Sequence, residues 1–111
     1  MSLVKAKAPD LPPVVAALLC AVLEIIRTDF HTWQVECRQR EWYRRHKDAI
    51  PDAAERDAIV MWHGRRAGCA WSSFIEEKEF FCRLCASYGA DLKKELPKRY
   101  LDAREEDGNG I

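Results

Sequence analysis

Glycine and proline are scarce in this chain, five of each in 111 residues, and neither occurs between Val14 and Ile50. A stretch that long without a breaker excludes the closely spaced turns of a β-sandwich or barrel. Net charge is also missing. Eighteen basic residues cancel eighteen acidic ones, so no global field draws the molecule to nucleic acid or anionic lipid, and any such binding must come from a local patch. The apolar run from Val14 to Ile26, broken only by Glu24, is shorter than the roughly 20 residues a spanning helix needs, which argues against a membrane segment. A signal peptide is disfavoured as well. Asp10, Pro12 and Pro13 interrupt the approach to the apolar run, and no small-x-small cleavage site follows it. Five cysteines are an odd number, which fits a reducing, cytoplasmic setting better than a secreted disulfide framework.

What is present is one small folded domain. Apolar residues make up 48% of the chain and charged ones 32%, a composition able to bury a core rather than one that stays disordered. Residues 1–10 show no periodicity and read as a flexible arm. Residues 11–101 read as a single helical domain, and 102–111, acidic and glycine-containing, as a disordered tail.

The pattern predicts an all-α fold. Proline at Pro12-Pro13 suits a helix start, where its missing N–H would be unpaired anyway. The stripe Leu19, Leu23, Ile26, Phe30, Trp33, Cys37 then keeps helical spacing. Thr28-Asp29 could cap a new helix, but the stripe passes through, and the first helix is expected to run from about Pro13 to Asp48. Pro51 stops it, because the residue before a proline avoids the helical region. Asp52 with Glu55 is a capping-box start for the second helix. That helix is expected over Ala53 to Tyr88, carrying Val60, Gly64, Ala67, Trp71, Phe74, Phe81 and Cys85 at helical steps, with Gly89 as its terminator. Gly64 and Gly68 allow a turn instead, yet the stripe does not change phase across them.

Two long helices joined by four residues make an antiparallel hairpin, in which position i lies near position 101 − i. This places Trp33 opposite Gly68, giving the glycine a packing reason. It also sets Arg44, Arg45 and Lys47 beside Asp52, Glu55 and Asp57. A short helix after Asp91, with Leu92, Leu96, Tyr100 and Leu101, is expected to pack back on the hairpin.

No reaction is encoded recognisably, and no catalytic residue is assigned. Cys82-Arg83-Leu84-Cys85 is a C-x-x-C, but Cys69 lies 13 residues from Cys82, about 20 Å along a continuous helix, so one ion cannot bind both. No metal and no cofactor are expected. A redox role would need a βαβ context that the chain lacks. Gly64-Arg65-Arg66-Ala67-Gly68 lacks the Gly-Lys-Ser/Thr ending of a phosphate loop. His63 comes near Cys37 in the hairpin register, without a cleft or a third group to orient the pair.

Binding is therefore the expected mode of action. The block 38–47 interleaves cations with aromatics, and Arg38, Arg40, Trp42, Tyr43, Arg44, Arg45, Arg65 and Arg66 are the candidate partner-binding residues, since Trp, Tyr and Arg dominate protein hot spots. The expectation is a small non-enzymatic regulator, adaptor or inhibitor acting by protein–protein contact, of a size that would suit a phage or mobile element. The alternative is a nucleic-acid-binding regulator using the same block. A homodimer is also expected, because Val14, Val15, Leu18, Val22 and Ile25 point to more sides of the first helix than one partner helix covers. Two hairpins would then pair as a four-helix bundle.

Overall fold

The structure is a computed structural model that describes residues 11–110; the arm expected at 1–10 lies outside the described residues. Two long helices, α1 (Pro13–Arg45) and α2 (Ala53–Tyr88), pack antiparallel, followed by the short helices α3 (Leu92–Glu95) and α4 (Lys98–Leu101). There is no strand among the described residues.

Local chemistry sets each boundary. Pro13 opens α1 with Pro12 as its N-cap, and the Pro12 carbonyl takes the first amides from Val15 and Ala16. Thr28-Asp29 does not break the helix. The Thr28 hydroxyl bonds back to the Glu24 carbonyl at 2.9 Å, the mid-helix alternative to capping. α1 stops three residues short of Asp48, because His46 turns out of the helix with both its amide and its ring Nδ1 on the Trp42 carbonyl. Lys47–Ala49 then forms a 3₁₀ turn. Asp52 caps α2 by accepting from the Ala54 amide at 3.0 Å. Gly89 ends it at φ 69°, the left-handed conformation that glycine adopts without penalty. Gly64 and Gly68 sit inside the continuous helix.

The register is close to 101 − i. Glu36 meets His63 and Arg66, on either side of that rule, while the ring pairs Phe30–Phe74 and Trp33–Trp71, at 5.2 and 4.7 Å, lie three residues further along. This shift removes the packing reason expected for Gly68. Trp33 packs tilted against Trp71, and a Cβ built at Gly68 would meet no atom within 4 Å.

The core has two parts. Val15, Leu19, Val22, Ile26, Phe74, Phe81, Cys85, Leu96 and Tyr100 fill the open end and middle of the hairpin, and Trp33, Cys37, Ala67 and Ala70 fill the part towards the turn. Leu96 and Tyr100 come from the C-terminal segment, which thus lies across one face of the hairpin as expected. Tyr100 meets the edge of Phe30 at 5.0 Å, and its carbonyl accepts from Lys78 at 3.2 Å.

The segment expected to be disordered continues along this same face. Glu105–Gly110 forms a 3₁₀ stretch against α1. Gly108 comes so close that a Cβ there would stand 2.7 Å from Cys37 Sγ and 2.9 Å from Trp33 Cζ2. Only glycine allows that approach.

Candidate protein-binding surface

The turn end of the hairpin gathers an aromatic and cationic surface from both helices. The Trp42 ring stacks on His46 at 4.4 Å and 13°, and meets the edge of Tyr43 at 5.0 Å. Tyr43 reaches across to α2 and stacks on His63 at 5.7 Å. His63 meets Trp62 at 4.8 Å, and the Arg66 guanidinium lies 4.8 Å over the Trp62 ring. One continuous string of rings therefore runs from α1 to α2. Trp42 (45%) and Trp62 (54%) are exposed on this string, unusual for large apolar side chains gathered in one place. Arg38, Gln39, Trp42 and Tyr43 also line a groove of about 300 Å³.

Beneath the string lies Glu36, the buried acid of the turn end. His63 Nδ1 donates to it at 2.6 Å and Arg66 Nε at 3.0 Å. Burial pushes the Glu36 carboxyl up, but the hydrogen bonds and charges of His63 and Arg66 outweigh it and hold the pKa below the ordinary carboxylate range. An ionised Glu36 thus fixes the positions of His63 and Arg66, and through them the stacking of Tyr43 and Trp62.

The structure brings most of the expected binding residues to this end, but in different states. Arg38, Arg45 and Arg65 are exposed. Arg40 and Arg44 both bind Glu41, at 3.1 and 2.7 Å, and Arg40 also donates to the Gly108 carbonyl. Arg44, Arg45 and Lys47, which the register sets beside Asp52, Glu55 and Asp57, form no ion pair with these acids among the described residues. Charges on α1 pair along α1 instead, and Arg56 donates to the Lys47 and Ile50 carbonyls of the turn.

Trp62, His63 and Glu36 were not among the expected partner-binding residues. The i,i+4 spacing of Trp62 and Arg66 was a usable signal. Glu36 was hidden because the register argument paired His63 with Cys37. In the structure Cys37 is buried against Trp33 and Gly108, and burial pushes its thiol above the usual range, which disfavours a nucleophilic thiolate.

The candidate dimer residues divide. Val15 and Val22 are core residues within the chain and are not available for an interface, because they face Phe81, Cys85 and the returning C-terminal segment. Val14, Leu18 and Ile25 are exposed at 74%, 41% and 50%. Cys20 shares a small cavity with Phe81, as the register implied.

A second groove, about 470 Å³, runs along the hairpin between Asp29 and Thr32 of α1 and Trp62, Arg65, Arg66, Cys69 and Ser73 of α2. At its far end Glu77 hydrogen-bonds Asp29, while Glu77 Oε1 is buried without a hydrogen-bond partner. Burial, then the Asp29 hydrogen bond and charge, push Glu77 up to about 8. Among the described residues no three His, Cys, Asp or Glu side chains gather as a metal site, and no helix is long and apolar enough to cross a membrane. The chain matches no protein-family model, no curated protein and no solved structure.

Proposed function

We propose that this protein is a non-enzymatic regulator, adaptor or inhibitor that binds a protein partner at the turn end of the hairpin, through Arg38, Trp42 and Tyr43 with the neighbouring Arg45. The observation that carries the reading is the ring string Trp42–Tyr43–His63–Trp62, exposed at its two tryptophans and held in place from below by Glu36. Large aromatics fixed at the surface lose little entropy on binding and supply most of the energy of protein interfaces. The arginines argue in the same direction. Arg44 already binds Glu41, whereas a nucleic-acid groove needs cations free to neutralise phosphates.

The test is capture from a lysate of the source organism, treated with nuclease, on immobilised protein and on its Trp42→Ala and Arg38→Ala variants. A bound protein that survives raised salt and is retained at least about 30-fold less by Trp42→Ala supports the reading, since a hot-spot tryptophan contributes about 2 kcal/mol or more. Retention of nucleic acid with a steep salt dependence, indifferent to Trp42, would overturn it in favour of a nucleic-acid regulator.

A further inference from the structure

The face of α2 that looks away from the C-terminal segment carries a seam at strict helical steps of four and three: Trp62, Arg66, Cys69, Ser73, Glu76 and Phe80. Trp62, Arg66, Cys69 and Ser73 line the groove described above, and Trp62 and Phe80 are exposed at 54% and 42%. Read outward from Trp71, this seam mirrors itself with opposite charge. Nine residues either way stand Trp62 and Phe80, six away Arg65 and Glu77, five away Arg66 and Glu76, and two away Cys69 and Ser73. Trp71 also lies within a residue of the midpoint of the 36-residue α2.

We infer that this face binds a second copy of the chain, the two α2 helices packing antiparallel about a two-fold axis at the level of Trp71. A two-fold contact sets residue i against residue j and j against i. Antiparallel pairing about Trp71 therefore puts Trp62 of each copy on Phe80 of the other, Arg65 on Glu77, and Arg66 on Glu76. Four arginine–carboxylate pairs and two aromatic pairs form at once. Parallel packing of the same helices would instead set like charges together, which disfavours it.

Two other observations fit this occupant. Glu77 is an anomaly in the single chain, a carboxyl beside a second carboxyl with one oxygen buried and unbonded, and a second copy's Arg65 supplies the donor and the charge that it lacks. The exposed end of α1 is accounted for too. Because the axis crosses the middle of α2, the two hairpins overlap end to end, and the turn at Ala49–Asp52 of one copy reaches the level of Val14 and Leu18 of the other. This surface adjoins the partner-binding end at Trp62 but does not use Arg38, Trp42 or Tyr43.

Light scattering on the unaltered protein at high micromolar concentration, joined to charge exchange and thiol cross-linking, tests the inference. The protein is expected to be a dimer that a short bismaleimide links through Cys69, so that Cys69→Ser abolishes the link and Cys20→Ser does not. Reversing the arginines in one variant (Arg65→Glu with Arg66→Glu) should raise the dimer dissociation constant at least about 100-fold, and so should reversing the acids (Glu76→Arg with Glu77→Arg). Mixing the two variants should restore a heterodimer, because every cross-axis pair is again opposite in sign. A monomeric unaltered protein, a link through Cys20, or two folded variants that fail to pair on mixing would each overturn it. Should either variant fail to fold by circular dichroism, the cross-linking of unaltered protein decides.

Discussion

Replacing Glu77 with glutamine should stabilise the isolated chain, and only above acid pH. In the fold, burial and Asp29 together hold the Glu77 carboxyl protonated to about pH 8, against an ordinary value of 4.5. A carboxyl whose folded pKa is raised carries no penalty below its unfolded pKa. Between the two values the folded chain must hold a proton that the unfolded chain has released, so stability falls as pH rises from about 4.5 and levels off above about 8. At 1.36 kcal/mol per unit the full effect at pH 7 would be about 3 kcal/mol. Glu77 is only partly buried, and solvent screening reduces this to about 1–2 kcal/mol. Glutamine carries no charge, and its amide can still donate to Asp29. Urea denaturation at pH 4.5, 6 and 7.5, with protein dilute enough that a second copy's Arg65 does not reach Glu77, measures the difference through the midpoint. The variant's midpoint should exceed that of the unaltered chain at pH 7.5 and converge with it at pH 4.5. An equal shift at all three values would show that packing, not the proton, is responsible. A loss of stability at pH 7.5 would refute the argument outright.

Gly68→Ala should stabilise the protein by about 0.5–1 kcal/mol, since the site is helical, the added methyl meets nothing, and alanine loses less backbone entropy; a destabilised variant in thermal or urea melts would show that Gly68 is packed after all. Alkylation with iodoacetamide should modify the exposed Cys20 in the native protein, and Cys69 as well when the protein is dilute enough to be monomeric, and leave Cys37 and Cys85, both buried with raised thiol pKa values, until unfolding. Gly108→Ala should lift Glu105–Gly110 from α1, because its methyl would overlap Cys37 and Trp33. Its signature is faster alkylation of Cys37 with the global melting midpoint nearly unchanged, and unaltered Cys37 reactivity would count against the docked tail.

The hairpin was legible because its boundaries are matters of local chemistry. Pro51, Asp52 and Gly89 act through φ, ψ and a side-chain oxygen within a few residues of themselves, and a stripe that keeps phase through Gly64 and Gly68 identifies one helix whatever covers it. What depended on cross-helix distances of a few ångströms was less legible. A three-residue shift separates Trp33 over Gly68 from Trp33 against Trp71, and a single position separates a His63–Cys37 pair from the His63–Glu36–Arg66 cluster that organises the binding surface. Val15 and Val22 were assigned to a dimer contact because the sequence does not say which sides of the first helix the second helix and the returning segment cover; in the fold both valines share one buried cluster with Phe81, Leu96 and Tyr100. The docking of Gly108 was invisible to composition, since glycine in an acidic tail is the same letter whether it confers freedom or permits a close approach.

The mirrored charges of α2 belong to a different class. They are present in the sequence as plainly as the caps are, at fixed distances either side of Trp71. They acquire meaning only when the fold shows which face of α2 the C-terminal segment covers. A palindrome of charges on a covered face would be chance, and one split between two faces could not pair. Here Lys78, on the covered side, bonds Tyr100 of the returning segment, whereas Trp62, Arg65, Arg66, Cys69 and Ser73 line the opposite groove. The chain's zero net charge is then the sum of a pattern rather than the absence of one: arginines towards the turn and glutamates away from it give the free face of α2 a direction. Another copy turned end for end would meet such a face with the opposite charge at each position.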